Sequence, residues 1–561
     1  MRKIIKTKLT WLLLILLAIT ISCETTELDL LQDPNVPTPD ALDPDTNLNF
    51  VLSNFNQFFA EATEAGAEAV RLEYMFNTYE VNFINSNGNL ANMWSIAYAD
   101  ILNEIKLIEP ILVESNRFRH LGVNKIIRAY TLMTLVDYFG DVPLSEALQG
   151  GDVFPTLDPA ADVYAAALAD LNDALNDFDQ IDDTTPDFSD LFGDLFYGDD
   201  IDKWSKLANT LKLKYYLNIS LVDPNAAGEI TSLINTEDII TDNSDDFFWQ
   251  AGTSDNPQSK HQYYFEEYEA ANTGEYIPNY LAWALTIEKG IDDPRLRYYI
   301  YRQVDEFPTD PATLNNEIDC WNDPRPSSYA SVDAISAAPL PFCSLFDRGD
   351  GYWGRDHAEA DGIPPDNAKR MTFGTYPIGG RFDDNDAEDI SAGDGLDGAG
   401  IWPIMMDSFV YFMRAEAALN LGTGEDPRAM LEQGVRSSIA TVMSKLPNPD
   451  SFSNVPTMAD VENYVDEVLA LYDGATDDGG RMAVIGKEYW IALFGNGVEG
   501  YNLYRRTGTP INLQPTLLGT GNFPRSFLYP NVTVDRNPNI DQKAGITVKT
   551  FWDNNPDGFI Q

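Results

Sequence analysis

Apolar residues recur at three- and four-residue spacing through 48–82, 91–114, 118–139, 160–178 and 201–220, and again from Trp402 to about Tyr504. That spacing places one apolar stripe along each helix, so the chain must fold by packing helices against helices. Within 121–139, Ile126, Ile127, Tyr130, Leu132, Leu135, Val136 and Tyr138 make a broad apolar face. Phe139-Gly140-Asp141-Val142-Pro143 then ends the helix, with Gly at its end and Pro just beyond.

The stretch 402–441 reads as an antiparallel helical hairpin. Its first helix runs through Met406, Val410, Phe412, Ala415, Ala418 and Leu419. Gly422-Thr423-Gly424-Glu425 turns the chain, and the second helix runs through Ala429, Leu431, Val435 and Ile439. Small residues such as Ala415, Ala417 and Ala418 let the two helices approach closely. The unit has the shape of a tetratricopeptide hairpin, without a strict repeat period. From 240 to 400, Gly, Pro, Asp and Asn interrupt the periodicity and aromatics are scattered between them. The expected fold class is therefore mainly α: tetratricopeptide-like helical hairpins forming a scaffold, with a long irregular, loop-rich ligand-binding region. The expected organisation is a signal peptide at 1–22, a Pro-, Asp- and Thr-rich tether at 23–46, and one domain at 47–561. That domain divides into helical 47–239, irregular 240–400, helical 401–506 and irregular 507–561.

Arg2, Lys3, Lys6 and Lys8 precede an apolar run from Trp11 to Ile21, closed by Ser22-Cys23. This is the pattern of an export signal. The run is shorter than the roughly 20 residues a spanning helix needs. Thr20-Ile21-Ser22-Cys23 resembles a bacterial lipobox, in which the cysteine is acylated and becomes the new N-terminus. Thr20 stands where Leu is usual, and a plain signal cleavage is the alternative. Lipidation at Cys23 implies a membrane-anchored protein, since several acyl chains hold stably where one does not.

Asp and Glu number 88 against 37 Lys and Arg, a formal charge of −51. Such a surface repels phosphate backbones, so nucleic acid is not an expected partner. Cys320 and Cys343 either form one disulfide, which an oxidising compartment permits, or remain two buried thiols. No CxxC is present, so thiol redox chemistry and a cysteine zinc site have no support.

Catalytic signatures are sparse. None of His120, His261 and His357 belongs to an HExxH motif, and there is no GxSxG elbow. Gly480 to Lys487 is one residue too long for a phosphate loop, and Glu488 stands where Ser or Thr is needed. Gly393, Gly395 and Gly398 spell GxGxxG among acidic residues, with no strand before them, so a pyrophosphate would be repelled there. The acidic run 383–397 is rich enough in oxygen for calcium. It fails the EF-hand pattern, because Asp389 occupies the place of the required Gly, and a solvated acidic loop is the simpler reading. No catalytic residue and no cofactor is expected beyond that possible calcium.

Aromatic residues carry more information. Trp249, Tyr263, Tyr264, Phe265, Tyr276, Tyr352, Trp353 and Tyr376 lie in the irregular middle, where an aromatic face can stack on a sugar ring or a peptide side chain. The alternative is that each plugs its loop onto the helical body. A second candidate is Phe83-Ile84-Asn85-Ser86-Asn87-Gly88-Asn89. Here Phe83 and the amides of Asn85, Asn87 and Asn89 suit hydroxyl or peptide ligands, unless they simply form an Asn/Gly turn.

Several stretches together resemble the SusD/RagB family of nutrient-binding outer-membrane lipoproteins, in its divergent SusD-like branch. They are Trp94-Ser95-Ile96-Ala97-Tyr98-Ala99-Asp100-Ile101, Arg128-Ala129-Tyr130 and Asp137-Tyr138-Phe139-Gly140-Asp141-Val142-Pro143. Later come Arg414-Ala415-Glu416-Ala417-Ala418, Glu488-Tyr489-Trp490 and Tyr504-Arg505-Arg506-Thr507-Gly508-Thr509-Pro510. Pro524-Arg525-Ser526-Phe527-Leu528-Tyr529-Pro530 and Asn537-Pro538-Asn539 complete the set. The resemblance implies a binding protein without catalysis. Such a protein sits on a SusC-type TonB-dependent transporter and passes it a captured oligosaccharide, or alternatively a peptide. It implies that these motifs are structural, and it transfers no ligand-contacting residue. A surface glycoside hydrolase and a pure protein scaffold are the competing functions.

Overall fold

The computed structural model describes residues 43–84, 89–149, 154–186, 193–236, 238–269, 276–306, 311, 320, 323–344, 350–360, 370–518 and 521–560. The signal sequence, Cys23, Asn85 and Asn87 lie outside these, as does the side chain of Asn89.

The first helix, α1 (Pro44–Ala69), begins inside the range assigned to the tether. Asp43 caps it by accepting from the Thr46 N–H at 2.9 Å, and Pro44 supplies a preset first turn. Its buried face runs through Leu48, Val51, Leu52, Phe55, Phe58 and Phe59. The helical pattern read through 48–82 breaks after Ala69, and a short helix α2 (Tyr79–Ile84) follows. Next comes α3 (Asn89–Ser95), which widens into a π-helix at Ile96–Leu102 and continues as α4 (Asn103–Glu114). Two further helices agree with the periodicity, α5 (Phe118–Phe139) and α6 (Ala160–Phe178). From Leu121 to Phe139 nearly every residue of α5 is buried, as expected of a helix packed on several sides. It stops at Gly140, whose φ of 74° suits glycine and whose N–H donates to the Val136 carbonyl at 2.8 Å. Helices α7 (Ile201–Ile219) and α8 (Ala226–Thr236) complete this block.

The second block holds α9 (Asp407–Leu421) and α10 (Pro427–Ser444), the hairpin read from the sequence. Gly422 ends α9 in the left-handed region at φ 69°, and the Asp426 carboxylate caps α10. The rings of Phe412 and Tyr489 stack across from α9 to α12. The helices α11 (Met458–Gly474), α12 (Asp478–Ala492) and α13 (Gly497–Thr507) follow. α13 packs directly on α1, so the last helical block closes over the first. One apolar cluster extends from Leu48 to Ile560, which makes the described body a single cored unit. Among the described residues no helix is long and apolar enough to cross a membrane.

The middle of the chain is more ordered than its composition suggests. Antiparallel β1 (Phe247–Gln250) and β4 (Ile401–Met405) pair with Trp249 opposite Trp402, and β2 (Ile300–Arg302) pairs antiparallel with β3 (Met371–Phe373). Residues 288–295 are locked to the helices by buried charge. Arg295 binds Asp293 at 2.7 Å and Glu488 at 3.0 Å, while Lys289 meets Glu488 and Lys487 meets Glu288, each at 3.0 Å. The tail after α13 is irregular yet buried. Phe527 and Trp552 are fully enclosed, and the Trp552 indole N–H donates to Asp137 at 2.8 Å.

Candidate functional site

The aromatics read as ligand platforms hold the loops to the body. Phe83 is 2% exposed and packs on Tyr79 and Phe527. Tyr276 meets two guanidinium groups, Tyr352 lies under Arg302, and Tyr376 stacks on Tyr299. Trp353 packs against Cys320 and Cys343, which form a disulfide with their Cα atoms 5.5 Å apart. As folded, none of Phe83, Tyr276, Tyr352, Trp353 and Tyr376 faces solvent, because large rings gain most by covering apolar surface. Trp249 is half-buried, its ring edge-on to Phe196.

The acidic run 383–397 is neither a free solvated loop nor an open oxygen cage. Arg381 pairs with Asp386 and Glu388, and Arg302 with Asp383 at 2.6 Å. Asp384 accepts from the Ser453 and Asn454 amides at 2.8 and 2.7 Å. The carboxylates considered for calcium are thus engaged by the protein's own donors. Among the described residues no group of three or more His, Cys, Asp or Glu stands together as metal ligands.

A different face gathers ligand chemistry. Glu61, Glu64 and Glu68 recur at three and four residues along α1, which sets them in one stripe. Asn92 of α3 donates to Glu61 at 3.3 Å. On the far side, Gln262 donates to Glu266 at 2.9 Å within the turn leading into a π-helix at Phe265–Glu269. Burial raises the Glu61 carboxyl, and the charge of Glu266 raises it further. Burial likewise raises Glu266, and it drives Glu68 well up with help from Glu64. Phe265 is 42% exposed beside Glu266, and Phe76, in the chain leaving α1, is 43% exposed. Exposed rings beside carboxyl and amide groups offer an apolar platform with hydrogen-bonding groups around it, the combination a carbohydrate requires.

Behind this face stands a stack of charge and ring. The guanidinium carbons of Arg355 and Arg370 lie 4.9 and 4.4 Å from the centroid of the Tyr276 ring. Glu359 holds Arg355 at 2.8 Å, and Glu267 holds Arg370. The Tyr74 ring meets Tyr276 edge-on at 5.5 Å, and its hydroxyl donates to the Glu359 carbonyl at 2.6 Å. Burial pushes the Glu359 carboxyl up to about 7, against the pull of Arg355.

An open depression of about 420 Å³ lies elsewhere, lined by Asn116, Phe118, Asp179, Gln180, Asp182 and residues 184–186. Its polar groups serve their own turn: Asp182 accepts from the Thr184 amide and hydroxyl at 2.8 and 2.6 Å. The α1 face brings Glu61 and Asn92 together with Glu266, and the candidate site is placed there.

A family model described as "Starch-binding associating with outer membrane" matches residues 41–530. The chain belongs to this SusD-like family. Its fold is similar to that of a SusD homologue from Bacteroides fragilis (TM-score 0.63, 17% identity, 91% of this chain and 99% of that one). It is also similar to a SusD/RagB family protein from Bacteroides thetaiotaomicron (TM-score 0.63, 18% identity, 92% and 100%). A third likeness is to a chitin-binding SusD homologue from Flavobacterium johnsoniae (TM-score 0.62, 16% identity, 91% and 99%). No curated protein matches the chain.

In this SusD-like chain the motifs that carried the resemblance are buried polar anchors. Asp137 accepts from Asn502 and Trp552 at 2.8 Å and from Tyr164 at 3.0 Å. Arg505 donates to the carbonyls of Asp137 and Arg525, and Arg506 forks onto Glu416 at 2.6 and 2.8 Å. Arg525 in turn holds Asp553. The candidate residues that sequence reading passed over are Glu61, Glu64, Glu68, Asn92, Glu266 and Phe76, whereas Phe265 belongs to the aromatic set of the irregular middle. Three carboxylates in the Ala-rich end of α1 were the available signal, obscured by the many acids elsewhere.

Proposed function

We propose that this protein captures an oligosaccharide outside the cell and delivers it to a SusC-type TonB-dependent outer-membrane transporter. In this reading it is anchored by lipid on Cys23 and carried on the tether at 23–46. Membership of a family described as starch-binding and associated with the outer membrane carries the proposal. Two of its structural neighbours are named as chitin-binding, which agrees with a glycan ligand. The exposed rings and the carboxyl and amide groups on α1 and at 262–266 are the binding face.

The proximity of Glu61 and Glu266 favours comparison with a glycosidase. Hydrolysis needs one carboxyl held protonated and a second kept ionised. Here burial raises both carboxyls, and the fate of a bound glycan separates capture from hydrolysis. The test is calorimetry of the purified protein with maltohexaose, chitohexaose and a peptide library, with chromatography of the glycans afterwards. Binding of a glycan recovered intact is the expected result. Binding of peptides alone would transfer the role to peptide capture, and shortened glycans would make the protein a hydrolase. Purification from native membranes should also recover a β-barrel transporter.

A further inference from the structure

We infer that the Arg355–Tyr276–Arg370 stack is a positioning device that sets the two sides of the ligand face against each other, an inference that rests on the proposed glycan-binding role. The stack touches the back of that face at three places. Glu267, which holds Arg370, follows Glu266 directly and also accepts from Thr372 at 2.8 Å, tying the π-helical turn to β3. Tyr74, edge-on to Tyr276, lies in the electrostatic range of Glu68 and so connects to the acidic stripe of α1. Glu359, which holds Arg355, accepts through its carbonyl from the Asn77 N–H at 3.4 Å, one residue beyond Phe76.

Geometry and chemistry both make the stack a poor choice for stability alone. Tyr276 is 1% exposed, and Arg355 and Arg370 are 3% and 0% exposed. Two buried guanidiniums with their carboxylates cost desolvation that apolar residues of equal volume would avoid. What the arrangement supplies is orientation: two planar guanidiniums set against one ring restrict its tilt, and each carboxylate fixes its arginine. The π-helical turn bearing Phe265 and Glu266 is thereby held in register with Glu61 and Asn92. The tilt depends on planarity, so lysine is not an equivalent of either arginine.

The experiment compares the full-length wild type with Tyr276→Phe, Tyr276→Leu and Arg370→Lys. Three readouts are taken: thermal unfolding, amide hydrogen exchange over 261–269 and 353–359, and affinity for maltohexaose and chitohexaose. Tyr276→Phe keeps the ring and is expected to stay within twofold of wild type in every readout. Tyr276→Leu and Arg370→Lys, measured well below their melting temperatures, are expected to exchange faster over both segments and to bind the retained glycan at least fivefold more weakly. Arg370→Lys keeps the charge on Glu267, so its loss separates orientation from ion pairing. Faster exchange with unchanged affinity overturns the positioning role while leaving glycan capture intact. A wild type that binds neither glycan removes the functional reading, and the positioning role falls with it.

Discussion

Gly66 of α1 and Gly497 of α13 meet backbone to backbone. A Cβ on Gly497 would overlap the Thr63 carbonyl oxygen and the Ala67 nitrogen, and one on Gly66 would overlap the Gly497 carbonyl and approach the Tyr138 hydroxyl. At this crossing the first and last helical blocks become one body. Gly497→Ala should therefore force the two helices apart and cost about 1–3 kcal/mol, the range for overpacking a filled core. Urea unfolding, followed by circular dichroism, measures it; an unchanged midpoint would show that the crossing is looser than described here.

Arg506 and Glu416 form a bidentate pair with side chains 3% exposed, and Arg506 also donates to Asn218 at 2.7 Å. Glu416→Ala leaves the guanidinium buried without its carboxylate, and removing one partner of such a pair costs about 3–5 kcal/mol. The expected outcome is a large fall in stability, while the replacement of both residues by apolar side chains costs much less. A double-mutant cycle by denaturant unfolding compares them.

Glu359 should impose a pH dependence on stability. Its carboxyl is raised by burial to about 7 in the folded protein, whereas the unfolded chain titrates near 4.3. Between those values the folded state holds a proton that the unfolded state has released. Its contribution is therefore fully present below about pH 4.3 and is lost as pH rises through 7. The loss amounts to at most about 4 kcal/mol. Unfolding free energies of wild type and Glu359→Gln, measured at pH 5 and 7.5, should differ by a shallower fall in the variant.

The exposed rings on the binding face can be removed without touching the core. Phe265→Ala and Phe76→Ala should each weaken glycan affinity on the order of tenfold, since an aromatic contact contributes about 1 kcal/mol or more. Melting temperatures should move little. Calorimetry with the glycan that binds wild type most tightly decides it; full affinity in the double variant would move the site away from α1.

The Cys320–Cys343 bond spans 23 residues of sequence and packs under Trp353. Closing a loop of that size restricts the unfolded chain by about 3 kcal/mol. Reduction, or Cys320→Ser with Cys343→Ser, should lower the melting temperature without abolishing the helical signal, because the bond lies outside the helical blocks.

Helix periodicity was legible wherever a helix buries one stripe, and the α9–α10 hairpin and α5 follow it closely. It failed after Ala69, where apolar Val70, Leu72 and Met75 continue the burial without the helix, because an apolar residue satisfies the core from any backbone. The strand pairs were invisible for a related reason. β1 and β4 lie some 150 residues apart, and short segments with no alternation announce neither their conformation nor their partner. The residues that carried the resemblance are held inside the core: Arg505 donates to the carbonyls of Asp137 and Arg525, Arg506 holds Glu416, and Glu488 holds Arg295.

What the sequence determined by itself was therefore the helical class, the family and the presence of buried charge in the scaffold. Each of these depends on residue type and local spacing. Only the tertiary structure decided which aromatics face solvent. Tyr276, Tyr352, Trp353 and Tyr376 share the composition and loop setting of a binding platform, yet each is covered by residues distant in sequence. Phe265 stays exposed, and its neighbour Glu266 comes into the field of Glu61, which holds Asn92, because the fold carries them there. Burial is a property of the neighbours, and neighbours in space are what a linear pattern does not contain.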